Sequence, residues 1–285
     1  MFRKILVATD LSLASEQVIG AVSGLRALGT KEVLLIHCLN IRDVGSLAET
    51  LSKLLQPALN EQQAKLTAAG FETSAEIRIG IPGIEINRTA QEKDCSIIVI
   101  GSHGYNLTKD ILLGGVTTAV LHTATRPVLV IKIQPGKENQ PPAAWNPLNH
   151  ILYPTDFSDN AEAAFLYLEK IVESGAEKVT LLHIQDQIIG VHLKDRLEVF
   201  NRIDRERLER LAERLRAKGK LEIAIDIIYG MVAPEIIKKI NELPASMVVM
   251  GTQGRGHIGE LFLGSVSNKV VRLSPVPVLL VPLIR

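Results

Sequence analysis

The chain has 285 residues, 46% of them hydrophobic and 22% charged, a composition that builds packed cores and suits two domains of ordinary size. Its net charge is +1, and both halves are balanced: residues 1–132 carry 13 Lys/Arg against 12 Asp/Glu, and residues 149–285 carry 18 against 18. Neither half has the basic footprint of a nucleic-acid binder, which excludes nucleic acid as the main partner.

Lys4-Ile5-Leu6-Val7-Ala8-Thr9 predicts a first strand over 4–9 that ends in Thr9-Asp10. No signal-peptide core precedes it, and no run of ~18 apolar residues follows anywhere, so a cytoplasmic protein with no membrane partner is expected. Helical spacing over 13–28, 44–69, 83–93 and 115–124 alternates with apolar runs over 32–39, 73–79, 95–100 and 127–132. Cys38 and Cys95 fall in two of those runs, far apart and in no CxxC pair, and read as buried structural thiols. Gln134 to Pro142 is polar and proline-rich, the mark of a linker.

Beyond it the chain repeats itself. Lys4-Ile5-Leu6-Val7-Ala8-Thr9-Asp10 returns as His150-Ile151-Leu152-Tyr153-Pro154-Thr155-Asp156, an offset of 146. Ile98-Val99-Ile100-Gly101-Ser102-His103-Gly104 returns as Val248-Val249-Met250-Gly251-Thr252-Gln253-Gly254, an offset of 150. The second copy therefore predicts strands over 150–155, 177–184, 221–228, 245–250 and 277–282, and helices over 159–174, 193–218, 232–243 and 265–274. The expected organisation is a domain over 1–133, a linker over 134–148 and a domain over 149–285. Uniformly apolar strands alternating with helices imply an α/β class: two tandem doubly wound domains, each a five-stranded parallel sheet of order 3-2-1-4-5.

In such sheets ligands bind beyond the carboxyl ends of the strands, where the strand order reverses between the first and fourth. Polar residues collect there: Thr155-Asp156 after one strand, and Gly251-Thr252-Gln253-Gly254, with Gly264-Ser265 further on, after the other. Glycines let backbone N–H groups approach an anion, and a helix beginning at Ser265 adds unpaired donors, a dipole and a capping hydroxyl. Neither GxxxxGK[ST] nor GxGxxG fits this spacing.

The motif Gly251-x2-Gly254-x9-Gly264-Ser265, the Asp closing the first strand and the terminal Pro-Val-Leu-Leu-Val strand together resemble the universal stress protein family, as a tandem two-domain member. That resemblance covers nearly the whole chain except the linker. It implies dimers through the last strand, as a pseudo-dimer of the two domains or a homodimer, and bound ATP or another adenine nucleotide, with Mg carried on the phosphates rather than by side chains. It places Pro154, Thr155 and Asp156 near the nucleoside, Ile184 against the adenine with Met250 nearby, and Gly251, Gly254, Gly264, Ser265, Val266 and Ser267 on the phosphates. Arg255 is the cation beside the second glycine. A degenerate second site comprises Thr9, Asp10, Gly101, Gly104, Gly114 and Gly115: Gly115 stands where Ser265 does, Tyr105 where Arg255 does, and Thr117 partly compensates.

The expected role is that of an adenine-nucleotide-binding stress-response regulator with an unknown protein partner and nucleotide mainly in the second domain. Two alternatives stay open, a slow metal-dependent ATP hydrolase or transferase and a nucleotide-free chaperone-like assembly module. No GxSxG or HExxH nucleophile or zinc signature supports faster chemistry, so catalytic residues are not assigned. His37 and His183, at strand ends, read as packed and hydrogen-bonded. Leu193 to Lys218 reads as a helix with an apolar stripe covering the sheet, with Glu198–Arg202 and Glu206–Arg210 as i,i+4 pairs.

The last strands, over 127–132 and 277–282, are sheet edges in a 3-2-1-4-5 order, and apolar edges are usually covered, so the two are expected to pack together. Leu279→Lys should then loosen the domains and lower the melting temperature. An unchanged melting temperature and hydrodynamic radius would contradict that packing.

Overall fold

The computed structural model describes residues 2–104, 113–134, 145–186, 197–254 and 263–283. The chain divides into two compact units at Asn146–Pro147. Most of the expected linker lies outside the described residues, but Pro147 and Leu148 are buried, and Leu148 accepts a hydrogen bond from the Glu177 N–H at 2.8 Å within the second unit.

The first unit holds β1 (Lys4–Thr9), α1 (Ser15–Val22), β2 (Glu32–Asn40), α2 (Ile41–Val44), α3 (Ala48–Ala68), β3 (Glu72–Gly80), α4 (Pro82–Glu92), β4 (Ile97–Gly101), α5 (Gly115–Thr123) and β5 (Val128–Ile131). Its sheet is parallel, in the order β3-β2-β1-β4-β5. The second unit has β6 (Ile151–Pro154), α6 (Asp159–Glu173), β7 (Lys178–Asp186), α7 (Leu197–Arg216), β8 (Glu222–Gly230), α8 (Val232–Glu242), β9 (Met247–Gly251), α9 (Ser265–Leu273) and β10 (Val278–Val281). It is ordered β8-β7-β6-β9-β10, again parallel. Both units thus have the expected 3-2-1-4-5 order.

Burial explains the composition of the strands. β4 and β9 are buried at every position, because helices cover both faces and leave no polar side to an Ile-Ile-Val-Ile or Met-Val-Val-Met run. The edge strand β3 is instead partly exposed throughout and carries Glu72, Glu76 and Arg78, charges that discourage further pairing. In the second unit the core gathers on Tyr153, whose hydroxyl donates to the Ala161 carbonyl at 2.7 Å and whose ring meets Phe165 edge-on at 5.4 Å. Burial pushes the Tyr153 phenol well above its ordinary pKa, so it stays a donor. Arg214 of α7 stacks 4.5 Å over the Phe165 ring while pairing with Glu162 and Glu169 of α6, which pins α7 to α6.

Three helices differ from the sequence expectation. The helix predicted over 13–28 is α1 followed by a 3-10 stretch over Ser23–Leu28, ended by Gly29 at φ 84°; Gly24 weakens the α-helix there and Gly29 takes the left-handed stop. The helix predicted over 44–69 is broken at Gly45, whose φ of 47° separates α2 from the turn leading into α3. Among the described side chains of the α7 stripe, Leu208 and Leu215 are buried, with Ala212 buried beside them, whereas Phe200 and Ile203 are exposed. Its side chains pair as Arg207–Asp204 and Arg216–Glu209, alongside the Arg214 pairs, rather than as Glu206–Arg210. No helix among the described residues is long and apolar enough to cross a membrane.

Candidate functional site

The turn after β6 is built by its own side chains. Thr155 Oγ1 accepts from the Phe157 N–H at 3.0 Å, and Asp156 Oδ1 accepts from the Ser158 N–H at 3.1 Å and its hydroxyl at 2.6 Å. Ser158 Oγ in turn accepts from the Ala161 N–H at 3.3 Å, capping α6. Phe157 takes φ 59° to close this turn, a left-handed conformation that a non-glycine residue holds only when its neighbours fix it. The result holds the Asp156 carboxylate toward the glycine loop. A Cβ on Gly254 would lie 2.8 Å from Asp156 Oδ2, so only glycine fits there without moving the acid. Gly254 has an ordinary φ, so the constraint is contact rather than backbone conformation.

β9 delivers the loop. A Cβ on Gly251 would meet the Asn160 carbonyl oxygen at 2.7 Å, which fixes glycine where the strand passes the start of α6. The Thr252 N–H donates to the Val281 carbonyl at 3.1 Å, and the Gly264 N–H donates to the Thr252 carbonyl at 2.8 Å, closing the neck of the loop. α9 then begins with Gly264 as N-cap, and its first intrahelical bond runs from the Asn268 N–H to the Gly264 carbonyl at 2.9 Å. The N–H groups of Ser265, Val266 and Ser267 precede that bond and point out of the helix start.

Two expected roles change here. Ser265 is the first helical residue rather than the cap, so its exposed hydroxyl is not engaged in capping. The buried Ser267 hydroxyl donates to the Gly251 carbonyl at 3.0 Å and fastens α9 to the end of β9. Its equivalent, Thr117, donates to the Gly101 carbonyl at 2.7 Å, so it repeats this fastening and does not replace the Ser265 hydroxyl.

These pieces enclose a cleft of about 320 Å³, and Pro154, Thr155, Asp156, Ile184, Met250, Gly251, Gly254, Gly264, Ser265, Val266 and Ser267 all line it. Arg255 lies outside the described residues. Its lining combines apolar side chains with the carboxylate, the glycines and the helix N-terminus, a set suited to a ligand with a flat apolar group and an anionic tail. Sequence reasoning missed Leu182, Val232, Ile236 and Gln253, which also line the cleft. Gln253 sits inside the glycine motif and was legible, while Val232 and Ile236 reach the cleft only because α8 packs beside it.

The histidines at the strand ends are held by backbone carbonyls, and His37 also lines a cleft of the first unit. The Nδ1–H of His183 donates to the Thr155 carbonyl at 2.7 Å, and His37 does the same to Thr9 at 3.0 Å. A carbonyl only accepts, which assigns the proton to Nδ1. No group of three His, Cys, Asp or Glu suited to a metal occurs among the described residues.

The first unit has a cleft of about 370 Å³ lined by Thr9, Asp10, Gly101, Gly104, Gly114 and Gly115. The same neck closes it: the Gly114 N–H donates to the Ser102 carbonyl at 2.8 Å. What differs is side-chain chemistry. Cys38 replaces Ile184, Gly115 replaces Ser265, and His103 replaces Gln253. Cys38 is half-buried in the cleft wall rather than in the core; burial pushes its thiol up to about 12, so it is not a thiolate nucleophile. Tyr105 lies outside the described residues.

Beside this cleft burial brings the Lys132 amine down to about 8, and burial together with Lys132 lowers the pKa of His103. A lowered amine pKa means that the folded state holds fewer protons than the unfolded one between pH ~8 and ~10.5, so stability rises with pH across that window. Lys132→Met should therefore remove this rise in stability between pH ~7 and pH ~10. Urea unfolding of both proteins at the two pH values checks this.

Comparison with known proteins matches the chain twice to the Universal stress protein family, at residues 1–132 and 147–282. Universal stress protein MJ0577 of Methanocaldococcus jannaschii is 34% identical over 155 residues, which cover 46% of this chain and 96% of that protein. Universal stress protein Slr1230 of Synechocystis is 22% identical across 97% of this chain and 88% of its own length. A crystal structure of a universal stress protein from Archaeoglobus fulgidus superposes with a TM-score of 0.77 at 26% identity, covering 99% of both chains.

Proposed function

The chain belongs to the universal stress protein family, and from that premise we propose that its second domain binds ATP or another adenine nucleotide as a regulatory ligand. The observation that carries this reading is the convergence on one cleft of Asp156, Gly254 and the start of α9 at Ser265 with the apolar Ile184 and Met250. Adenine stacks between apolar side chains, the Asp156 carboxylate accepts from ribose hydroxyls, and the N–H groups of α9 with the Ser265 hydroxyl hold the phosphates. Mg2+ belongs on the phosphate oxygens, since phosphates with one or two protein oxygens are its usual company.

Bound nucleotide bridges the β6 turn, the glycine loop and α9, and thereby favours one arrangement of α8 and α9. That arrangement is the signal a protein partner reads. Calorimetric titration of nucleotide-free protein with ATP and Mg2+ should give about one site per chain. Absence of binding by ATP, ADP and AMP alike would overturn the proposal.

A further inference from the structure

α8 and α9 present a second feature on the side away from the cleft. Between them runs a groove of about 550 Å³, with Ala233, Pro234, Ile237 and Leu273 as its apolar surface and Lys238, Lys269 and Arg272 as its cations. Leu273 is 44% exposed at the end of a helix anchored by buried Val270 and Val271. Lys238 meets Glu235 and Glu242 only at 3.9 and 4.0 Å, and Lys269 has no acid within ion-pair distance among the described residues.

At the equivalent place in the first unit the two helices are bridged by side chains, and the residues that differ are visible. There a Cβ on Gly83 would meet the Ala119 Cβ at 2.6 Å, so α4 lies directly against α5. Asn87 Nδ2 donates across to the Val120 carbonyl at 3.1 Å and to Thr123 Oγ1 at 2.7 Å. At the repeat offset of 150, Gly83 and Ala119 become Ala233 and Lys269, while Asn87 and Thr123 become Ile237 and Leu273. Ala233 and Lys269 are bulkier than Gly83 and Ala119, and Ile237 and Leu273 cannot make the hydrogen bonds that bridge α4 and α5.

We propose that this groove is the docking site for an acidic segment of a partner protein, whose apolar side chains enter between α8 and α9 while its carboxylates meet Lys238 and Lys269. Charge complementarity selects the sign, and the concave shape favours inserted side chains of a peptide over a flat lipid surface. The same helices carry Val232, Ile236 and Ser265 into the nucleotide cleft, so the groove is one helix-width from the ligand. Coupling of the two sites rests on the nucleotide reading above.

The test uses the full chain and a fluorescein-labelled peptide of Glu and Leu at helical spacing, read by anisotropy. Wild type should bind it and ignore the matching Lys and Leu peptide. Lys238→Glu with Lys269→Glu, both exposed, should weaken binding about tenfold or more with the melting temperature unchanged. Ile237→Asn with Leu273→Thr, which restores the sealing pair, should weaken it independently. Saturating ATP should shift the peptide affinity, and the peptide should shift ATP affinity by the same factor. Equal binding by the double-charge variant, or stronger loss of anionic vesicle binding than of peptide binding, would overturn the peptide site. Independence of peptide and ATP binding would overturn the coupling. ATP binding without peptide binding sinks the groove alone, whereas peptide binding without ATP binding sinks the nucleotide reading alone.

Discussion

Gly254→Val is expected to abolish most nucleotide binding in the second domain while leaving the fold intact. The cause lies in one contact: even a Cβ at this position would sit 2.8 Å from Asp156 Oδ2, and valine adds two methyl groups. Asp156 cannot simply swing aside, because its other oxygen accepts both the N–H and the hydroxyl of Ser158, which caps α6. Displacing the loop removes phosphate donors, and displacing the acid removes the ribose acceptor. Overpacking of this kind costs about 1–3 kcal/mol and a lost charge-assisted bond about 1.5–3 more, so affinity should fall at least about a hundredfold. Calorimetry with ATP, beside a thermal melt to show that the domain is folded, measures it. The matched change Gly104→Val crowds Asp10 in the first domain and should leave most ATP affinity in place.

The second large effect concerns Ser265 and Gly115, which occupy the same first position of α9 and α5. Ser265→Ala removes one hydroxyl from the phosphate end of the cleft and should weaken ATP by about tenfold to a hundredfold. The converse change is sterically free, because a Cβ on Gly115 meets nothing within 4 Å. Gly115→Ser should therefore raise ATP affinity in the first cleft by a similar factor and bring a second site into the titration. The first cleft is open and keeps its loop neck, so it has not collapsed, and Gly115→Ser tests the hydroxyl apart from the other lining differences. Two equal ATP sites in wild type, or no response to Gly115→Ser, would show that the missing hydroxyl is not what separates the domains.

The repeat and the strand order were legible because both depend on coarse patterns. A short β-branched Ile-Ile-Val-Ile run ending in glycine reads as a strand buried on two faces, and matched segments at offsets 146 and 150 imply two copies of one topology. With the topology came the location of the cleft, beyond the ends of β6 and β9, and hence its glycines and Asp156. Less legible were features that turn on local backbone competition. Helix periodicity continues through Ser23 and Gly24, yet glycine tips the balance to a 3-10 turn, and Gly45 at φ 47° breaks what the spacing reads as one helix. Whether a serine at a helix start is cap or first residue differs by one position, within the range where helix ends are ambiguous. The partners of Arg214, Glu162 and Glu169, lie 52 and 45 residues away on another helix, tertiary pairs that no window of sequence displays. Cys38 follows the same lesson: its strand is apolar, but the strand end opens into a cleft.

The most direct measurement of the central claim is to denature freshly purified protein and identify the released nucleotide by mass spectrometry, for wild type, Gly254→Val and Gly104→Val side by side. An adenine nucleotide at about one per chain, retained by Gly104→Val and missing from Gly254→Val, is the predicted result. Wild type that releases no nucleotide and takes up none on incubation with ATP, or a Gly254→Val protein that carries as much as wild type, would contradict it.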